Sequence, residues 1–244
     1  MKTSGNTVLI TGGSAGIGLE LARHLSQLGN QVIITGRDAA RLEKATQQVP
    51  GIKGIVSDVT SDKAVSELVD TLQKDFPALN MVINNAGRAF AYQLSDTADA
   101  AAKAVEEMDT NFFSVIRLTE KLLPLLHKQA ESAVVNVTSI VAFVPGVHIP
   151  TYSASKAALR SYTLALRLSL PQLHIFELMP PLVNTDFSQD IGGAKGIPPA
   201  QVATEFIAAL EKNEYEVHVG DTAQIYQLML SSPATALTAL NTSR

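Results

Sequence analysis

Short β-branched runs alternate along the chain with stretches whose apolar residues recur every three or four positions. The first such pair is a strand pattern at 7–11 and a helical one at 17–28; the second is 31–35 followed by 39–48. The same reading predicts strands at 52–57, 81–84, 133–138, 174–178 and 216–219, and helices at 62–74, 98–129, 154–170 and 199–212. The strands are too apolar to face water. The alternation therefore predicts an α/β chain, a doubly wound, Rossmann-type parallel sheet of about seven strands with helices on both faces. Right-handed crossovers then put ligands outside the carboxyl ends of the strands, where strand order reverses.

No repeat, low-complexity tract or charge run breaks this pattern, so one domain over 1–244 is expected, a length that suits a single α/β unit. Two stretches, 132–155 and 222–243, lack Asp, Glu, Lys and Arg. The first is interrupted by Pro145, Gly146 and Pro150, the second by Gln224, Gln227, Ser231, Ser232 and Pro233, so neither reads as a membrane span. A core strand with its loop, and a packed terminal helix, are expected instead. The N-terminal apolar run ends at once in glycines and reads as a first strand, not a secretory signal.

Cysteine is absent, which excludes thiol nucleophiles, thiolate zinc sites and disulfides and fits a reducing, cytoplasmic location. A net charge of -4 and a pI near 5.7 offer no footprint for nucleic acid or anionic lipid, and small-molecule partners are favoured. His24, His127, His148, His174 and His218 show no ligand spacing, so no metal is expected.

Candidate chemistry begins directly after the first strand, at Thr11-Gly12-Gly13-Ser14-Ala15-Gly16-Ile17-Gly18. Glycines there let the backbone approach a pyrophosphate, and the following helix N-terminus presents unpaired N–H groups to it. An ordinary tight βα turn, with no nucleotide to hold, is the bland alternative. An NAD site usually ends its second strand in Asp or Glu; here Gly36 stands at that place and Arg37 follows it. A guanidinium pairs well with a 2'-phosphate, so NADP(H) is preferred and NAD(H) is the alternative. Asp38 competes as a ribose ligand but also sits where an N-cap is expected.

Tyr152 has Lys156 four residues on, at the start of a predicted helix, which brings both side chains to one face. Ser139 follows the strand at 133–138, Asn84-Asn85-Ala86-Gly87 ends another strand at the same edge, and Asn111 lies inside a helix where Asn is a poor former. A hydrogen bond to a neighbouring carbonyl is the bland account of Asn111.

Together these residues resemble the short-chain dehydrogenase/reductase family in its compact single-domain branch, and within it the DltE-type oxidoreductases. The likeness spans nearly the whole chain and rests also on Pro180-Pro181-Leu182-Val183-Asn184-Thr185. It implies Asn111, Ser139, Tyr152 and Lys156 as the catalytic four, Asp58 and Val59 as adenine contacts, and Asn85, Ala86 and Gly87 along the adenosine ribose. It implies Val183 and Thr185 as holders of the nicotinamide carboxamide. It also implies a homo-oligomer, dimer or tetramer, joined through the helices at 98–129 and 154–170. One departure is visible: Pro181 stands where the family usually has Gly, and Pro removes an N–H and fixes φ.

The activity so implied is hydride transfer between nicotinamide and a carbonyl or alcohol carbon, with Tyr152 handling the proton. A phenol ionising near pH 10 must be shifted by up to about 3 units to serve near neutrality, and Lys156 with the oxidised nicotinamide would supply the charge. Ser139 would orient the substrate oxygen, and Asn111 would hold a water behind Lys156. Phe90, Tyr92, Val141, Phe143, Val147 and Phe187 suggest a hydrophobic substrate, with ordinary core packing as the alternative for each, and 187–198 reads either as a loop that closes over substrate or as a disordered connector. A cofactor-binding regulator without catalysis, or an epimerase or dehydratase, are the competing classes.

Overall fold

The computed structural model describes residues 1–242. The chain opens with β1 (Thr7–Thr11), α1 (Gly16–Gln27), β2 (Gln31–Gly36), α2 (Ala39–Gln48), β3 (Lys53–Val56), α3 (Asp62–Asp75) and β4 (Leu79–Asn84). It continues through α4 (Ala100–Met108), α5 (Ser114–Leu126), β5 (Ala133–Val137), α6 (Pro150–Ser169) and β6 (His174–Met179). It ends with α7 (Pro199–Lys212), β7 (Glu216–His218), α8 (Thr222–Ser231) and α9 (Pro233–Thr242).

Among the described residues these strands form one seven-stranded sheet in the order β3-β2-β1-β4-β5-β6-β7. Every pairing is parallel. The period of two sends alternate strand residues to opposite faces. Val8, Ile10, Val32 and Ile34 join Leu21 and Leu25 of α1, Leu42 of α2 and Phe206 of α7 in one core. Leu9, Ile33, Val82 and Val134 join Val65 and Leu72 of α3, Leu118 and Leu122 of α5 and Leu166 of α6 in the other. Strand order reverses between β1 and β4, which opens a crevice at their carboxyl ends.

The helix expected over 98–129 differs. It starts at Ala100, stops at Leu126 and widens to a π segment at Asp109–Phe113. The cause is the buried side chain of Asn111. Its Oδ1 accepts from the Arg88 N–H, and its Nδ2 donates to the Arg88 carbonyl and to Ser155 Oγ, each at 2.8 Å. One extra residue in the turn swings that amide off the helix toward its partners, as π-bulges do at functional sites.

Helix α6 begins at Pro150, four residues earlier than the pattern suggests, because proline suits a first helical position. The expected terminal helix is instead α8 and α9, broken between Ser232 and Pro233; residue 243 of that expectation lies outside the described residues. Among the described residues no helix is long and apolar enough to cross a membrane.

Phe206 is fully buried between α7 and β6, against Phe176 at a ring-centroid distance of 6.2 Å. Phe206→Ala should destabilise the protein by about 3–5 kcal/mol through the cavity it leaves, read as a lower urea midpoint at constant m-value.

Candidate active site

The crevice contains a cavity of about 410 Å³. Its floor is the turn between β1 and α1. Gly12 has φ 63°, and a Cβ there would lie 2.9 Å from the Ala86 Cα, so bare backbone must form this wall. The turn is stitched to β4: Asn85 Nδ2 donates to the carbonyls of Thr11 at 3.0 Å and Gly12 at 3.1 Å. The Thr11 hydroxyl accepts from the N–H groups of Asn85 and Ala86, both at 3.1 Å. Gly18 packs behind, where a Cβ would stand 2.5 Å from Asn85 Nδ2. The helix that follows has no side-chain cap at Ala15, so the N-terminal turn of α1 faces the cavity with Ser14, Gly16 and Ile17 on its wall. This cradle fits the pyrophosphate of a dinucleotide.

At one end of the cavity stands Arg37, just past β2. Asp38 is the N-cap of α2, its carboxylate accepting from the Arg41 N–H at 3.0 Å. The Asp58 carboxylate takes the N–H and hydroxyl of Thr60, at 2.9 and 2.7 Å. The Thr60 N–H is the main cause that lowers its pKa, with the Arg37 charge adding to it. Neither Asp58 nor Val59 lines this cavity, and the Val59 carbonyl accepts from Arg117.

At the other end Ser139, Tyr152 and Lys156 share the wall with Val183 and Thr185. Tyr152 is 8 % exposed and Lys156 4 % exposed. The Lys156 ammonium lies 5.6 Å from the Tyr152 ring centroid and donates to the Val137 carbonyl at 2.8 Å. Ser139 lies two residues past the end of β5; its Oγ accepts from the Val141 N–H at 3.3 Å and lies 3.5 Å from the Pro180 carbonyl. Pro181 lines the same wall, and the segment stays anchored by Ile140 N–H to the Pro180 carbonyl at 3.0 Å and Ile197 N–H to the Leu182 carbonyl at 3.0 Å. Phe187 begins the loop over 187–198, its ring 5.9 Å from that of Tyr152. That loop holds turns at Asp186–Ile191 and Gly193–Lys195, and a bridge from Val183 to Ile197 ties it back.

Of the four residues predicted to be catalytic, Asn111 is the one that the cavity does not reach: its amide is committed to Arg88 and Ser155. The electrostatics also differ from expectation. Burial is the largest cause acting on Tyr152 and raises its pKa, the buried Glu107 adds to this, and hydrogen bonding with Ser139 opposes it. Burial also pushes Lys156 down to about 8. In the protein alone, desolvation outweighs any help the ammonium gives the phenolate.

Two residues were not foreseen. Arg41 lines the cavity and pairs with Asp186 at 3.2 Å, both exposed; its one sequence signal is its place four residues after Arg37. Glu107 is fully buried. One of its carboxylate oxygens accepts from the Phe90 N–H at 2.8 Å. Burial raises its pKa, and the neighbouring Glu106, which faces outward to Arg88, hides it in the sequence pattern.

A crevice at a strand-order reversal, floored by glycines and closed by a buried Tyr and Lys, is the site of a nucleotide-dependent oxidoreductase, and the chain belongs to the short chain dehydrogenase family, whose profile matches residues 6–196. It is 39 % identical over 224 residues to the oxidoreductase DltE of Bacillus subtilis, covering 89 % of each chain. It is 33 % identical over 189 residues to serine 3-dehydrogenase of Agrobacterium fabrum, covering 75 % of this chain and 74 % of that one. A short chain dehydrogenase from Burkholderia cenocepacia in complex with NADP superposes with a TM-score of 0.86 at 26 % identity, covering 98 % of both chains. The protein is thus an oxidoreductase of this family, which interconverts alcohols and carbonyls with a nicotinamide cofactor.

The Lys156 shift makes a stability prediction. The folded state lowers the ammonium pKa from 10.5 to about 8, so between those values the unfolded chain binds more protons and stability rises with pH. Below about 8 the burial penalty is fully present. The unfolding free energy of the wild type minus that of Lys156→Met should climb by at most about 1.4 kcal/mol per pH unit across that window, measured by urea titration.

Proposed function

We propose that the protein is an NADP(H)-dependent reductase, a single catalytic domain that moves hydride between nicotinamide and a carbonyl or alcohol carbon of an apolar small molecule. The observation that carries this reading is that Tyr152, Lys156 and Ser139 form one buried wall of the cavity whose floor is the Gly12 turn. The bound nicotinamide supplies the hydride.

Tyr152 holds the proton at its phenol oxygen. Burial keeps it protonated in the protein alone, which is the form that donates to a developing alkoxide. Lys156, fixed by the Val137 carbonyl, stands beside the phenol to receive a ribose hydroxyl and to offset negative charge. Ser139 presents its hydroxyl to the substrate oxygen. Asn111 acts from behind by holding Arg88 and Ser155, and so the backbone leading away from Gly87 and the helix that carries Tyr152.

Preference for NADP(H) over NAD(H) is supported by the exposed guanidinium of Arg37 on the wall, by Arg41 beside it, and by the use of Asp38 as a helix cap. The TM-score of 0.86 to a protein in complex with NADP supports it further, while a likeness of 0.82 to one in complex with NAD keeps the alternative. Gly12, Ser14, Gly16, Ile17 and Gly18 serve the pyrophosphate, Asp58, Val59, Asn85, Ala86 and Gly87 the adenosine side, and Val183 and Thr185 the carboxamide. Exposed Val105, Phe113 and Leu168 on the outer helices support a homo-oligomer, and the cysteine-free composition supports a cytoplasmic setting.

Tyr152→Phe should lower kcat by about 10²–10⁴-fold while the Kd for NADPH, read by fluorescence titration, stays near its wild-type value; near-normal turnover would refute the assignment. Arg37→Ala should raise the Kd for NADPH by about ten- to a hundredfold and leave that for NADH nearly unchanged. Equal losses would end the 2'-phosphate reading.

A further inference from the structure

Along α4 the residue that is buried is a carboxylic acid, Glu107, and it is fully so. An apolar side chain would pack there without giving up the water that a carboxyl loses, so its partners must account for it.

Those partners lie on the two segments that frame Tyr152. One Glu107 oxygen accepts from the Phe90 N–H at 2.8 Å. The same carboxyl accepts from the hydroxyl of Thr151, the residue before Tyr152. That hydroxyl also lies 2.6 Å from that of Tyr92, whose N–H donates to the His148 carbonyl at 2.9 Å. Asn111, four residues after Glu107, makes the matching contacts: its amide grips the Arg88 backbone and the Ser155 hydroxyl. Two side chains thus fasten the segment 88–90 to α6, one at Thr151 and the other at Ser155, on either side of Tyr152.

The grip also brings a charge. Around the phenol the charged groups are Lys156 on its own helix and Glu107 on α4, and Glu107 itself faces Arg88 and its neighbour Glu106. Ser139 meets the phenol as a hydrogen-bond partner and Phe187 as a ring at 5.9 Å. Ile140, Val141 and Ile149, with Ala236 and Leu240 of α9, add apolar surface. Burial raises the Glu107 pKa while Thr151, the Phe90 N–H and Arg88 oppose the rise, so the carboxyl ionises well before the phenol. Once ionised it disfavours a second negative charge nearby and so keeps the proton on Tyr152.

We propose that Glu107 is a positioning residue for Tyr152: it ties the Phe90 backbone to the first turn of α6 and sets a negative charge near the phenol. The role of Tyr152 as proton donor rests on the reading above; the clamp at Phe90 and Thr151 does not.

Two variants separate grip from charge, since Glu107→Ala removes both and Glu107→Gln keeps an acceptor oxygen. With NADPH and benzaldehyde as the probe near neutral pH, Glu107→Ala should lower kcat by about ten- to a hundredfold. Glu107→Gln should recover most of that loss, with the NADPH Kd unchanged in both. Reduction needs the protonated phenol, so kcat falls as pH rises through its ionisation; in Glu107→Gln that fall should lie at least about 0.5 pH lower than in the wild type. A second readout needs no turnover. With an isotope label at the tyrosine Cζ, the Tyr152 resonance is assigned by its loss in Tyr152→Phe. In the NADP+ complexes at about pH 10, it should show a larger ionised fraction in Glu107→Gln than in the wild type. Equal fractions overturn the proposal, as does a Glu107→Gln variant that loses as much kcat as Glu107→Ala. If the fractions differ but the wild type does not reduce benzaldehyde, the apolar-carbonyl reading fails and the role of Glu107 stands.

Discussion

The amide of Asn85 and the hydroxyl of Thr11 sew the ends of β1 and β4 together at the place where strand order reverses, and the rest of the site hangs from that seam. On one side the seam presents the Gly12 turn and the uncapped start of α1 as bare backbone. On the other it launches the segment after Asn84 toward Arg88, where Asn111 takes over as anchor. A side chain at Gly12 or Gly18 would collide with the seam itself, so cradle and seam are one requirement seen from two faces.

From that anchor the catalytic wall follows by contact. Asn111 holds Ser155 on the helix that carries Tyr152 and Lys156, and the π segment is the geometric cost of turning its amide that way. Lys156 in turn reaches the carbonyl of Val137, two residues before Ser139. Strand β5 and helix α6 are thus held in register by hydrogen bonds whose donors and acceptors are all buried. Their alternative would be an unsatisfied polar group, and that is a stronger constraint than packing alone.

Burial also sets the electrical state of the wall. It disfavours both the phenolate and the ammonium, and the buried carboxyl of Glu107 presses the phenol the same way. A wall that is electrically reluctant when alone responds strongly to a positive charge brought beside it in a low dielectric.

Periodicity alone determined the order of strands and helices, the parallel sheet and the two faces of its core, because period two and period 3.6 leave their marks locally. The glycine turn, Arg37, Ser139, Tyr152 and Lys156 were legible for the same reason: each sits at a fixed offset from an element end. What only the tertiary structure decided depends on partners distant in the chain. Asn111 turns inward to residues 23 and 44 positions away, Glu107 is buried while its neighbour Glu106 is not, and Asn241 clamps a loop 94 positions before it. Local spacing carries no information about such pairings, since they are chosen by which buried groups must satisfy one another once the layers have closed.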